Sequence, residues 1–170
     1  MLGLPRGTVF LSEWTKEWAE TFIIEKNKIE SVFPDENIRV HHIGSTSVEG
    51  LKAKPILDIG MEINNFEDIK EYIQGLERIG YKNMGSSILP ERYYFIKGEP
   101  RTHQIHLFEK GNSFLEEQIT FRDILRKNNS IKERYELLKI KLVEAHAEDK
   151  HKYAEMKTGF IHDVLEKYEY

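Results

Sequence analysis

The sequence predicts an α/β fold, with a mixed, largely antiparallel sheet, flanking helices and a C-terminal helical bundle. Residues 38–43 and 56–63 alternate between the two faces of an extended chain and are rich in β-branched side chains, which is typical of strands. Residues 92–97 and 102–109 indicate a hairpin, and helical periodicity dominates the chain after residue 112. Strands followed by helices on one chain favour an α/β arrangement over an all-helical one.

Length and composition are those of one folded domain with a charged surface. The chain has 170 residues, of which 39% are hydrophobic and 32% are charged. We therefore expect one domain over residues 1–170, with a helix and a sheet core to about residue 111 and helices from about residue 112. The 25 basic and 29 acidic residues leave a net charge of −4, so no overall positive field attracts nucleic acid or an anionic membrane. A local basic pocket is compatible with this charge.

The absence of cysteine narrows the possible chemistry. It excludes a disulfide framework, a thiolate zinc site and a cysteine nucleophile. Any metal ion must therefore be held by oxygen or imidazole ligands. The sequence also has no leader-like start and no apolar run approaching the length of a membrane span, so we expect a cytoplasmic protein without membrane contact.

The first half of the chain begins with a long amphipathic helix. Apolar side chains recur at steps of three and four residues from Trp14 to Val32, and Ser12 is the predicted N-cap of a helix over residues 12–33. The first strand follows and stops at Gly44. In the second strand one face is apolar, and the other face carries Asp58, Gly60 and Glu62.

The second half is predicted from similar signals. Asn65 is the predicted cap of a helix that ends at Gly80, and residues 98–101 form the turn of the hairpin. The capping boxes that start at Ser113 and Ser130 predict two more helices, and Asp149 is the predicted cap of a last helix.

The pair Gly44-Ser45, followed by Asp58 in a strand, has the clearest chemical meaning. Glycine lets a phosphate approach the backbone closely, and serine adds a hydroxyl donor at the start of a helix, where the dipole favours anions. A carboxylate facing that turn is a suitable ligand for Mg²⁺ shared with substrate phosphates. Glu62 faces the same side as Asp58 but lies about 13 Å along the strand, too far to chelate the same ion directly unless the strand has a twist or bulge. An ordinary strand-to-helix turn is the alternative interpretation.

This turn lies within a longer pattern. The stretch from His42 to Ile59 reads H-I-G-S-T-S-V-x-G-L-x-A-K-P-I-x-D-I, and five further motifs follow it in order. They are Arg92–Phe95, Arg101-Thr102-His103-x-Ile105-His106, Phe121-Arg122-Asp123-x-Leu125-Arg126, Tyr135-x-x-Leu138-Lys139 and Tyr153-x-x-x-Lys157. Together they cover nearly the whole chain and resemble the GrpB family (UPF0157), small bacterial proteins assigned to the nucleotidyltransferase-like fold of the DNA polymerase beta superfamily.

The resemblance implies transfer of a nucleotidyl group from a nucleoside triphosphate, or another reaction of a phosphorylated small molecule, with a small molecule or protein as acceptor. It implies that Gly44 and Ser45 hold phosphate. The candidate catalytic residues, which are also the candidate Mg²⁺ ligands, are Asp58, Glu62 and His106. The remaining candidate ligand-binding residues are basic, aromatic or imidazole side chains: Lys54, Arg92, Arg101, His103, Lys139, Tyr153 and Lys157.

Two features qualify this implied activity. Active enzymes of this fold carry a second acid two positions after the first, where this chain has Gly60. His103 and His106 fall on opposite faces of one predicted strand, so at most one of them serves the cleft. His106 is the candidate replacement for a third acid.

Two other function classes compete with the enzyme. Gly60 favours a catalytically silent module that binds a nucleotide or another small ligand. The charged, amphipathic C-terminal helices favour a structural or interaction protein.

Overall fold

A computed structural model describes residues 1–34, 37–146 and 150–168 of the chain. The bounds of its elements follow chain order: α1 Lys16–Val32, β1 Arg39–Ile43, a 3₁₀ turn Ser45–Ser47, β2 Leu57–Ile63, α2 Ile69–Arg78, β3 Lys82–Asn83, β4 Tyr93–Lys97, β5 His103–Glu109, α3 Ser113–Lys127, α4 Asn129–His146 and α5 Lys150–Lys167. None of the helices in this part of the chain is long and apolar enough to cross a membrane.

Within the described residues the strands form a five-stranded sheet in the order β1-β2-β5-β4-β3. β1 pairs antiparallel with β2, β4 with β5, and β3 with β4, whereas β2 and β5 are parallel. The predicted mixed, largely antiparallel α/β sheet is therefore confirmed, as is the hairpin of β4 and β5. The sequence pattern does not predict β3, since two residues are too few to show alternation.

The two faces of the sheet have different partners. The apolar side chains of β2 face α1 and α2, where they join Trp18, Phe22 and Ile29 in the largest buried cluster. Helices α3, α4 and α5 form a second core with the segment after the 3₁₀ turn, in which Leu51 packs with Phe121 and Tyr135. The face of β2 that carries Asp58 lies between these two cores.

The N-terminal cap of α1 differs from the prediction. Thr15 is the N-cap, and its hydroxyl accepts a hydrogen bond from the Glu17 amide at 3.3 Å. Ser12 instead exchanges two backbone hydrogen bonds with Ala53, at 2.8 and 3.1 Å. Pairing with this distant segment holds Ser12 outside the helix.

Asparagine takes the place of serine as the N-cap side chain of α3 and α4. Asn112 accepts from the Leu115 amide at 3.1 Å, and Asn128 accepts from the Ile131 amide at 3.1 Å. Both helices therefore begin close to the expected place with a different cap. α2 begins at Ile69, later than predicted from Asn65, whose side chain accepts from the Glu67 amide instead. The predicted cap Asp149 lies outside the described residues.

Candidate functional site

A cleft of about 200 Å³ lies on the Asp58 face of the sheet, between the connection from β1 to β2 and helices α3, α4 and α5. Nine of the candidate residues line it: Gly44, Ser45, Lys54, Asp58, Arg92, His106, Lys139, Tyr153 and Lys157. They come from both halves of the chain, so the C-terminal helices complete a site that begins on the sheet.

Gly44 is a glycine because the Asp58 side chain passes directly over it. Its φ is +74°, and a Cβ atom there would lie 2.8 Å from Asp58 Oδ2. The following turn of 3₁₀ helix spans three residues, which is too short for the helix dipole expected from the sequence to contribute. Ser45 and Tyr135 of α4 both line the cleft. The close approach to the Gly44 backbone is thus made by the Asp58 side chain, and phosphate binding at this turn stays a prediction.

Two arginines of α3 hold the turn and the end of β1 in place. Arg122 donates to the His42 carbonyl at 3.0 Å, and Arg126 donates twice to the Ser47 carbonyl, at 3.0 and 2.7 Å. Sequence reasoning assigns no positioning role to these two arginines, although the motif that contains them marks their positions. Charged donors on backbone carbonyls make these contacts stronger than contacts between neutral groups.

Asp58 has polar partners on neighbouring strand β5. Gln104 donates to its Oδ1 atom at 3.2 Å, and His106 Nε2 lies 3.6 Å from the same atom. Burial raises the pKa of Asp58, but His106, Lys54 and Lys157 outweigh burial and lower the pKa below its ordinary value of 3.8. Asp58 is thus a carboxylate at neutral pH.

Three lysines and a tyrosine form the lysine wall of the cleft, which consists of Lys54, Lys139, Tyr153 and Lys157. The Nζ atoms of Lys54 and Lys157 lie 5.5 and 5.6 Å from the centroid of the Tyr153 ring. Lys139 is only 1% exposed, and its Nζ donates to the Lys52 carbonyl. Burial, reinforced by Lys157 and Lys54, lowers the pKa of Lys139 well below its ordinary range. Lysine side chains from three segments therefore converge on one side of the cleft.

Arg92 supplies a further cation at the sheet side. Its guanidinium carbon lies 4.0 Å from the Phe114 ring centroid and 4.8 Å from that of Phe108, and Nε donates to the Pro90 carbonyl at 3.1 Å. Two aromatic contacts and a backbone acceptor fix the guanidinium at the edge of the cleft. Burial lowers the pKa of Arg92, but a guanidinium remains charged at neutral pH.

Three candidate residues do not line the cleft. Glu62 lies toward the far end of β2, with Oε1 4.0 Å from Arg39 Nε. Arg101 donates to the Tyr94 hydroxyl at 3.0 Å. His103 lies on the opposite face of the sheet, with Nε2 3.9 Å from Glu25 Oε2. The opposite orientations of His103 and His106 follow from the alternation of β5.

Helix α3 covers Gly60, the position at which active enzymes of this fold carry a second acid. A Cβ atom on Gly60 would lie 2.6 Å from Leu115 Cδ1 and 3.4 Å from Ile43 Cδ1. Helix α3 thus occupies the space that a second carboxylate would need. No group of three or more potential metal-ligating histidine or acidic side chains occurs among the described residues. The donors fit a Mg²⁺ ion held by Asp58 together with ligand phosphates, but they do not fit a site with two acids on β2.

His103 belongs to a buried ionic network between α1 and the sheet. Glu25 is 3% exposed and accepts from Tyr81 at 2.8 Å and from Lys97 at 2.9 Å. Burial raises the pKa of Glu25, but Lys97, Tyr81 and His103 together lower it. The network fixes α1 on the face opposite the cleft.

We expect Lys97→Met to destabilise the protein by about 2 kcal/mol, because it leaves the buried Glu25 carboxylate without its ammonium partner. Urea unfolding at neutral pH measures this loss. The matched control is Lys82→Met, which removes an exposed lysine from the adjacent strand β3 and is expected to leave stability almost unchanged. Equal effects of the two substitutions would contradict the assignment.

Comparison with known proteins supports both the fold and the family. The family profile described as "GrpB protein" matches residues 8–167. The chain is 35% identical over 158 residues to the UPF0157 protein YqkA of Bacillus subtilis, covering 92% of this chain and 46% of that relative. It is 29% identical to the glutamate-rich protein GrpB of Alkalihalophilus pseudofirmus, covering 97% and 98% of the two chains. The chain thus spans about half the length of the first relative and nearly all of the second.

Solved structures extend this similarity. The crystal structure of the conserved protein GrpB from Enterococcus faecalis is 33% identical, with a TM-score of 0.83 over 94% of this chain and 99% of that chain. The Cid1 poly(U) polymerase bound to Mg 3'-dATP is 15% identical, with a TM-score of 0.55 over 91% of this chain and 50% of that chain. At that identity, the likeness to the polymerase establishes the fold alone.

Proposed function

The chain belongs to the GrpB family and has the nucleotidyltransferase-like fold, and from this we propose that its cleft binds a nucleoside triphosphate and transfers the nucleotidyl group to a small molecule or protein. The observation that carries the proposal is the charge of the cleft. Among the described residues, the basic side chains that line it outnumber the carboxylates of Asp58 and Glu117; they are Lys54, Arg92, Arg122, Lys139 and Lys157. Such an excess of basic groups suits a ligand with several negative charges.

The proposal assigns a role to each part of the cleft. The backbone at Gly44 allows the ligand to approach Asp58 without steric hindrance from a side chain. The basic side chains of Lys54, Lys157 and Arg92 neutralise phosphate oxygens from the two sides of the cleft. Arg122 is a positioning residue, because it holds the His42 carbonyl at the end of β1 rather than the ligand.

The proposed reaction is an in-line displacement at phosphorus. An acceptor oxygen forms a bond to the α-phosphorus, the bond from that phosphorus to the bridging oxygen breaks, and pyrophosphate leaves with the electron pair. A Mg²⁺ ion held by Asp58 and the phosphates would supply charge neutralisation. The lysines neutralise the charge of the departing pyrophosphate, and the proposal assigns the acceptor proton to His106, which lies next to Asp58.

A silent binding module of the same fold is the second candidate, and the position of Leu115 over Gly60 favours it. With the second acid position filled by an apolar side chain, the cleft retains its charge while losing part of the metal chemistry of active enzymes of the fold. The two candidates agree on the ligand and differ on the reaction.

We expect titration calorimetry to detect binding of at least one nucleoside triphosphate, with higher affinity when Mg²⁺ is present, because Asp58 and the phosphates share the ion. The titration covers the four ribonucleotides in Mg²⁺ and in EDTA. A pyrophosphate-release assay then separates the candidates, since water can replace the acceptor slowly in an active enzyme and a silent module releases none. Absence of heat with every nucleotide, with and without Mg²⁺, would contradict both candidates.

A further inference from the structure

The side of the cleft formed by α4 and α5 has an unusual combination of buried polar groups. Tyr153 is 2% exposed, and its hydroxyl has no hydrogen-bond partner among the described residues. A buried hydroxyl without a hydrogen-bond partner is energetically unfavourable unless a ligand provides that partner. Tyr153 is among the residues that line the cleft, and a ligand group that enters the cleft is a suitable hydrogen-bond partner for its hydroxyl.

The lysines around Tyr153 indicate the charge of that group. Lys54 and Lys157 both lie within 6 Å of the ring centroid, at 5.5 and 5.6 Å, and the nearly buried Lys139 lines the same cleft. Burial lowers the pKa of Lys157 by more than Asp58 raises it. Burial and the two neighbouring lysines likewise lower the pKa of Lys139 by more than Glu136 raises it. Among the described residues, the carboxylates that line the cleft are those of Asp58 and Glu117, so an anion with two or more charges suits this cluster of three lysines.

We infer that Lys54, Lys139, Lys157 and the Tyr153 hydroxyl form a phosphoryl-binding subsite that works without a divalent cation. The inference rests on the proposed function, because it places the phosphates of that ligand within the same cleft. It departs from a binding mode in which the metal ion bridges protein and phosphate. Here the ammonium groups supply part of the positive charge that a metal ion bound to a second acid would supply. Leu115 leaves no room for that acid.

This subsite makes phosphate recognition independent of the nucleoside. Ammonium and phenol groups donate hydrogen bonds to phosphate oxygens without reading a base or a sugar. The chemical class of ligand is therefore any molecule with a polyphosphate or a phosphate monoester dianion that reaches α5. Asp58 repels such an anion when no metal ion lies between them.

The test uses inorganic tripolyphosphate in EDTA, measured by titration calorimetry on the full chain. We expect saturable binding by the unaltered protein, and a loss of affinity of about tenfold or more in Lys157→Met, since a charge-assisted contact is removed. Lys141→Met is the matched control, because Lys141 is an exposed residue of α4 outside the cleft lining. Its affinity is expected to match that of the unaltered protein.

Tyr153→Phe gives a second readout that packing alone does not produce. It keeps the ring and removes the unpaired hydroxyl, so we expect weaker tripolyphosphate binding together with a higher melting temperature of the ligand-free protein. If Lys157→Met does not fold, as judged by circular dichroism, Tyr153→Phe decides the question. A purely structural tyrosine would leave the affinity for tripolyphosphate unchanged.

The outcomes separate this inference from the proposed function. Nucleoside triphosphate binding in Mg²⁺ without tripolyphosphate binding in EDTA would overturn the inference and leave the proposed function standing. Tripolyphosphate binding that neither Lys157→Met nor Tyr153→Phe weakens would also overturn it, because the anion would then lie elsewhere. If neither the nucleoside triphosphate nor tripolyphosphate bound under any condition, both the inference and the proposed function would be overturned.

Discussion

Gly44→Val is expected to reduce the affinity for a nucleoside triphosphate more than about a hundredfold, the largest binding effect expected of a single substitution in this cleft. The added Cβ atom would lie 2.8 Å from Asp58 Oδ2 and 3.1 Å from its Cβ, so the two side chains cannot keep their positions. The displaced carboxylate enters the space of the phosphates. Titration calorimetry in Mg²⁺ measures the loss.

Backbone strain has to be separated from this collision, because φ at Gly44 is +74° and a β-branched residue is disfavoured there. Gly7 provides the control, since its φ is +76° and a Cβ atom added to it would meet no atom within 4 Å. Gly7→Val therefore carries similar strain without the collision. We expect both variants to lose stability by about 1–2 kcal/mol, and only Gly44→Val to lose binding. Unchanged binding by Gly44→Val would remove Gly44 from the phosphate site.

The strands that build the site can be predicted from the sequence because their pattern is local. Alternation places Asp58 and Glu62 on one face of β2 and separates His106 from His103 on β5. The same alternation does not say how far along a strand the cleft extends. For that reason it does not exclude Glu62, which lies beside Arg39, and it does not say which face of β5 packs on α1.

The placement of helices on the sheet cannot be predicted in this way. Leu115 covers Gly60 only because α3 crosses that part of β2, and the sequence of β2 contains no sign of this contact. The donation from Arg126 to the Ser47 carbonyl joins residues 79 positions apart. The family pattern marks the lysines and the tyrosine of the lysine wall as belonging to the cleft, whereas helical periodicity alone assigns no function to them.

Asp58→Asn is expected to abolish the contribution of Mg²⁺ to nucleoside triphosphate binding while preserving tripolyphosphate binding in EDTA. Asparagine keeps the size of the side chain and can still accept from Gln104, which donates to Asp58 at 3.2 Å, but it removes the charge that a divalent ion requires. Removing that charge also removes its repulsion of tripolyphosphate, so the affinity for tripolyphosphate in EDTA is expected to stay constant or rise. Calorimetry in Mg²⁺ and in EDTA measures both affinities.

The stability of Asp58→Asn has a defined dependence on pH. Because the pKa of Asp58 is below 3.8 in the folded protein, the ionised carboxylate stabilises the fold above that value and loses this contribution as pH falls through the folded pKa. We expect Asp58→Asn to be less stable by about 1–2 kcal/mol at neutral pH, with the difference shrinking in strong acid. Urea unfolding over this pH range follows the change.

Glu62→Gln and His106→Ala complete this experiment. Glu62 lies too far along β2 to share an ion with Asp58, so Glu62→Gln is expected to retain the Mg²⁺ contribution in full. His106→Ala removes a neighbour of Asp58 at 3.6 Å and is expected to reduce pyrophosphate release more than nucleotide binding. If Asp58→Asn kept the full Mg²⁺ contribution while Glu62→Gln lost it, the ion would be held at the far end of β2. The lysine wall would then contribute to phosphate binding alone, because several residues of β2 would separate it from the metal ion.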